Sequence, residues 1–80
     1  MNTEKHIKVT GYSNISWKDA IVKTVETASQ SLEHLSTLKI LEQKAKINNN
    51  KIVEYIVDLD ISFFIDSSQN DNTEANSDNM

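Results

Sequence analysis

Asp58 and Asp60 stand two residues apart in an alternating stretch, so both carboxylates fall on one face of a strand. Such a pair can hold a hard cation, Ca2+ or Mg2+, through oxygen ligands, and a symmetric assembly that gathered copies of it at an axis would multiply the charge. The same pair can also form a plain outward face, with Lys39 or Lys44 as cross-strand partner. Further on, Asp71-Asn72-Thr73-Glu74 has the look of a calcium loop, but it lacks the glycine and the closing acidic ligand of an EF-hand, and no helical pattern flanks it. The only histidines are His6 and His34, neither at metal-ligand spacing from another ligand type; His34 reads as a cation near a helix C-terminus. Cysteine is absent, so disulfides and thiolate metal sites are excluded. No Ser/His/Asp arrangement is set up for nucleophilic catalysis. With a single glycine, Gly11, no phosphate-cradling loop exists either. These residues point to binding or structure and not to an enzyme.

The elements that must position them are few. Eighty residues allow one domain at most, and a domain this small is marginal alone. Without disulfides or a structural metal, homo-oligomerisation is the remaining source of stability. Ile7 and Val9 alternate with Lys8 and Thr10, predicting a half-buried strand over residues 6–10 that Gly11 ends. The glycine is expected to supply a backbone angle or a close approach. Ser16, with Asp19 three residues on, resembles a capping box with Asp in place of Glu or Gln. Ile21, Val25, Ala28, Leu32 and Leu35 then recur at helical spacing, predicting a helix over residues 17–35 with Trp17 packed at its start. Residues 38–47 read as a second strand, Thr37, Lys39, Leu41 and Gln43 sharing one face, with a bulge after Leu41. Asn48-Asn49-Asn50 is a tight turn, because Asn tolerates positive φ.

Residues 51–65 form the clearest strand, with Val53, Tyr55, Val57, Leu59, Ile61, Phe63 and Ile65 on one face. At about 3.3 Å per residue it is much longer than a helix rising about 1.5 Å per residue. One helix cannot cover that face, so the sheet must curl around it or a neighbouring subunit must cover the remainder.

The net charge is −4, unevenly placed: residues 1–65 balance eight lysines against eight acids, and the remaining acids all lie in residues 66–80. Arginine is absent and the folded part has no basic face, which argues against nucleic acid. No apolar run approaches the ~20 residues of a membrane span, and residues 1–5 are polar, so a cytoplasmic protein is expected. Residues 1–5 are expected to be flexible, and residues 66–80, rich in Ser, Asn and Asp, a disordered acidic tail.

Gly11-Tyr12-Ser13, Ser16-Trp17 and Asp19-Ala20, followed by Glu42-Gln43, Ile47 and Lys51-Ile52-Val53-Glu54-Tyr55, resemble the dodecin family in order and spacing, from about His6 to Ile65. The resemblance implies an α+β fold of order β-α-β-β, with a three-stranded antiparallel sheet partly wrapped around one helix. It also implies a hollow homododecamer that binds or stores flavins (riboflavin, FMN or FAD); some relatives bind calcium. Dodecins stack a tryptophan of the second strand on the flavin ring and bond its polar edge with a glutamine of the third. Those positions here are Thr37 and Ile56. Thr37, Ile56, Lys39, Gln43 and Lys44 are thus the candidate ligand residues, the last three as polar or phosphate contacts. Asp58 and Asp60 remain the candidate cation ligands.

Overall fold

The computed structural model describes residues 2–66. Four elements follow in the order β1 (Asn2–Ser13), α1 (Trp17–Ser29), β2 (Leu35–Asn48) and β3 (Lys51–Asp66). The strands form one antiparallel sheet of order β1-β3-β2. The expected β-α-β-β architecture is therefore what the chain adopts. The expected tail, including Asp71-Asn72-Thr73-Glu74, lies outside the described residues apart from Asp66, which ends β3.

β1 is longer at both ends than its alternation predicts. Residues 2–5, expected to be flexible, pair with residues 63–66 of the central strand, from Asn2 opposite Asp66 to Lys5 opposite Phe63. A central strand that long presents backbone donors and acceptors along its whole edge, and pairing satisfies them. At the other end the strand runs through Gly11, which pairs with Val57, to Ser13 opposite Tyr55. Gly11 serves close approach here. A Cβ at this position would overlap Thr24 Oγ1 and come within 3.1 Å of the Ala20 carbonyl oxygen. The helix backbone rests directly on β1 at this point, and Ala20 beneath it is fully buried.

α1 begins as the Ser16 cap predicts. Ser16 is extended (φ −170°, ψ 164°), and its hydroxyl accepts the Asp19 N–H at 2.9 Å. Asp19 is too short to reach back to the Ser16 N–H as a Glu would. Ser13 bridges instead, accepting the Ile15 N–H at 2.9 Å and donating to Asp19 Oδ2 at 2.6 Å. Lys23, one turn on, completes the set at 3.1 Å from the same carboxylate oxygen.

The helix stops at Ser29, six residues short of the expected end. Ser29 Oγ bonds back to the Glu26 carbonyl, the competition with the ladder that disfavours serine in helices. Leu32 N–H still reaches the Ala28 oxygen, so its spacing looks helical, but His34 then turns into the left-handed region at φ 62°. That reversal delivers Leu35 to the sheet opposite Phe63, where it packs on the core as a strand residue. His34 is a linker residue, five positions past the helix end, and not the cap its sequence position implies.

The core is small: Ala20, Val57, Leu59 and Ile61, with Ile7, Val9, Trp17, Ile21, Ala28 and Leu35 against it. Only the middle of the apolar face of β3 is buried, while Val53 is 42 % exposed. Thirteen helical residues span about 20 Å, and the sixteen of β3 about 53 Å. The subunit measures 62 × 18 × 15 Å. Asn49 and Asn50, at φ 53° and 63°, close the β2–β3 hairpin as a two-residue turn with both residues left-handed, as expected for that tight turn.

Gly11→Ala is expected to destabilise the chain by about 1–3 kcal/mol through overpacking. Adding Thr24→Ala should recover part of the loss by removing the nearest obstacle. Denaturation curves measure both, and an undiminished Gly11→Ala chain contradicts the close-approach account.

Candidate functional site

The sheet has two faces. One carries the core and α1. The other, turned away from the helix, takes Glu4, His6, Lys8, Thr10 and Tyr12 from β1, paired residue for residue with Phe64, Ser62, Asp60, Asp58 and Ile56 of β3, and β3 adds Glu54, which pairs with Lys46 of β2. β2 contributes to this outward face with two changes of phase. Ile40 pairs with Leu59 and Glu42 with Asp58, so Leu41 is an extra residue, the bulge expected after that position. The extra residue reverses the alternation beyond it. Lys44, opposite Ile56, is on the outward face, and Gln43, opposite the buried Val57, is on the helix side. Gln43 therefore does not share a surface with Thr37, Lys39, Lys44 and Ile56. The continuous alternation read from sequence fails there because a bulge shifts side chains by one position.

The remaining candidates form two groups. Thr37 lies opposite Ser62, with Lys39 and His6 nearby through their partners Asp60 and Ser62. Ile56 lies between Tyr12 on β1 and Lys44 on β2. Six residues of β3 separate the groups, about 20 Å, farther than one planar ring system reaches. Within one chain, Thr37 and Ile56 cannot touch the same planar ring system. Tyr12, 56 % exposed beside Ile56, escaped the sequence reading because that reading ended β1 at Gly11. Continuing the alternation two residues further would have placed it.

Asp58 and Asp60 are each already engaged. Thr10 Oγ1 donates to Asp58 Oδ1 at 2.8 Å, and Lys44 Nζ stands 3.3 Å from Oδ2. Lys44 is thus the cross-strand partner considered from sequence. Asp60 faces His6 Nδ1 at 3.1 Å, and His6 Nε2 is 3.8 Å from Glu4. No group of three or more His, Cys, Asp or Glu able to hold a metal occurs among the described residues. A calcium ion wants six to eight oxygens, and at Asp58 it would have to displace a lysine, so one subunit alone does not fit the ion. Nor do these residues fit a flavin held by ring stacking and edge bonding: Thr37 has no π face, and Ile56 neither donates nor accepts.

Trp17 fixes the seam behind this face. Its indole N–H donates to the Lys44 carbonyl at 2.8 Å, and its ring meets Tyr55 edge-on at 4.8 Å between centroids. It packs against the core, as expected, and ties the helix start to the β2 backbone beside the Ile56 group.

One helix laid across the middle of an antiparallel β1-β3-β2 sheet, with separated polar groups on the open face, defines a small protein of β-α-β-β architecture. The chain belongs to the dodecin family, whose family model matches residues 3–66. It is 27 % identical over 63 residues to a calcium dodecin of Mycobacterium tuberculosis, covering 79 % of this chain and 89 % of that one. The crystal structure of a calcium dodecin from the same organism, described as calcium-chelating with a novel calcium-binding site, aligns at TM-score 0.71 with 26 % identity, over 85 % of this chain and 97 % of that one. A dodecin from Streptomyces davaonensis aligns at TM-score 0.78 with 24 % identity, over 82 % of this chain and 97 % of that one, and shows the shared fold. No helix among the described residues is long and apolar enough to cross a membrane.

Asp19 and Asp58 both hold their protons less tightly than an ordinary carboxylate. For Asp19 the cause is the Ser13 hydroxyl and then Lys23; for Asp58 it is the Thr10 hydroxyl and then Lys44. Lowered folded values mean stability that is fully present above the unfolded carboxylate range, near pH 4, and lost as pH falls through the lower folded values. Melting midpoints measured from about pH 6 to about pH 2 should stay level and then drop below about pH 4. Asp58→Asn should flatten part of that drop, and an unchanged acid slope removes Asp58 from the account.

Proposed function

We propose that this chain is the subunit of a dodecin-type homododecameric shell that binds and stores a small aromatic molecule of the flavin class, at sites completed between subunits. The observation that carries the reading is the separation of the Thr37 and Ile56 groups on one outward face, combined with a helix that leaves both ends of the sheet bare. A single ring system touching both groups needs two copies of the chain, and the exposed Leu38, Ile40, Ile47 and Ile52 give those copies apolar surface to bury. Binding, not catalysis, is the role, and the shell is cytoplasmic. Affinity for riboflavin, FMN or FAD is lowered by the residues at positions 37 and 56. A lost stacking contact costs ~1–3 kcal/mol and an unpaired polar edge roughly the same.

Light scattering on the eluted protein should give twelve times the mass of one chain; the mass of a single chain overturns the shell. In a fluorescence titration with FMN, Thr37→Trp combined with Ile56→Gln should tighten binding by about two to four orders of magnitude, at ~1.4 kcal/mol per decade. If the double variant binds FMN no better than the parent, these positions are not the flavin contacts.

A second reading, a cation-binding shell, draws on the M. tuberculosis relative named for calcium. Copies of Asp58 and Asp60 gathered at a symmetry axis would supply the oxygens that one subunit lacks. A melting midpoint that rises with Ca2+ or Mg2+, falls with EDTA, and loses the response in Asp58→Asn selects this reading. An unchanged midpoint leaves the pair as an ion-paired face.

A further inference from the structure

Ser62 is one of two buried polar residues among those described, 1 % exposed, although it lies on the outward face of β3. The cause is a second irregularity in β2. Leu35 pairs with Phe63 and Leu38 with Ile61, so Ser36 and Thr37 together oppose the single residue Ser62. The bulge brings the β2 backbone over the serine, whose hydroxyl takes the place of a ladder partner. Thr37 N–H donates to Ser62 Oγ at 3.1 Å, Thr37 Oγ1 lies 2.7 Å from the same oxygen, and the Thr37 carbonyl oxygen lies at 3.4 Å.

Either hydroxyl of the pair can donate to the other. Ser62 Oγ already accepts from the Thr37 N–H, and its own proton needs an acceptor in a site closed to water. Of its two possible acceptors, Thr37 Oγ1 lies at the normal length for a hydroxyl–hydroxyl bond, and the carbonyl lies beyond it. The shorter contact favours Ser62 as the donor to Thr37 Oγ1. In that direction the Thr37 hydroxyl accepts inside the sheet and keeps its own proton for the outside, where the residue is exposed.

We infer that Ser62 is a positioning residue which holds Thr37 as an outward hydrogen-bond donor, so that the molecule bound at this position is one presenting a neutral acceptor, a ring carbonyl or ring nitrogen, rather than a bare aromatic face. This rests on the flavin-class reading above and deepens it, replacing stacking at position 37 with edge recognition. Lys39 follows two residues along the same face and adds further donors, while the Asp60 carboxylate opposite it disfavours an anionic group there.

Riboflavin, neutral and carbonyl-bearing, is the probe, with affinity measured by equilibrium dialysis and the bound carbonyl stretch by infrared difference spectra. Thr37→Ser should bind as the parent does. Thr37→Val and Ser62→Ala should each weaken binding about threefold to tenfold, the worth of one hydrogen bond. Both should abolish the downshift of a carbonyl band, and the double variant should lose no more than either single one. A merely structural role for Ser62 would not move the carbonyl band of the ligand. If Ser62→Ala fails to fold, the Thr37→Ser and Thr37→Val pair decides alone. Riboflavin bound by Thr37→Val with parental affinity and an unshifted band overturns the inference and leaves the proposed function standing. No binding by the parent chain overturns both.

Discussion

A helix of about 20 Å lies on a strand of about 53 Å, and the other features of the subunit follow from that mismatch. Where the helix sits, the chain is well packed: Gly11 lets the two backbones touch, Ala20 fills the contact, and Val57, Leu59 and Ile61 are sealed beneath. Beyond it, the same strand continues with the same apolar alternation and nothing over it. The hairpin end, with Ile47 67 % exposed, is the clearest case. A domain with so few sealed residues has little apolar burial to set against the entropy of ordering sixty-odd positions. The bare ends are consistent with a subunit that finishes its core by association.

The polar side obeys a different logic. Its charges meet diagonally across strands, so that Asp58, directly opposite Glu42, is held between Thr10 and Lys44, and Asp60 meets His6. Such exposed pairs contribute little individually, but they fix side chains on a face with no core to hold them. The two bulges of β2 then decide what this face offers. One turns Gln43 inward and Lys44 outward; the other buries Ser62 beneath Thr37. Specificity on this surface is thus written in strand irregularities as much as in residue types.

Much of this was legible in the sequence. Strict alternation from Val53 to Ile65 marks the central strand, three asparagines mark the hairpin turn, and Ser16 with Asp19 marks the helix start, because each of these signals is local. The end of the helix was not, since Leu32 and Leu35 keep helical spacing while serving a turn and a strand, and only the left-handed His34 separates them. The first strand was cut short at Gly11 because a glycine in a strand looks like a stop until the helix packed on it is known. The face of Gln43 and the burial of Ser62 depend on register, which a single strand does not encode by itself.

The irregular edge of β2 has one more consequence. A long sheet with apolar flanks and open edges at β1 and β2 is the raw material of a fibre, because each added copy would expose a new edge like the last. β2 is a poor template for such growth. Three breaks in register interrupt its hydrogen-bonding line, and Lys39, Lys44 and Lys46 stud it with charge. An exposed apolar sheet is thereby guarded against endless edge-to-edge stacking.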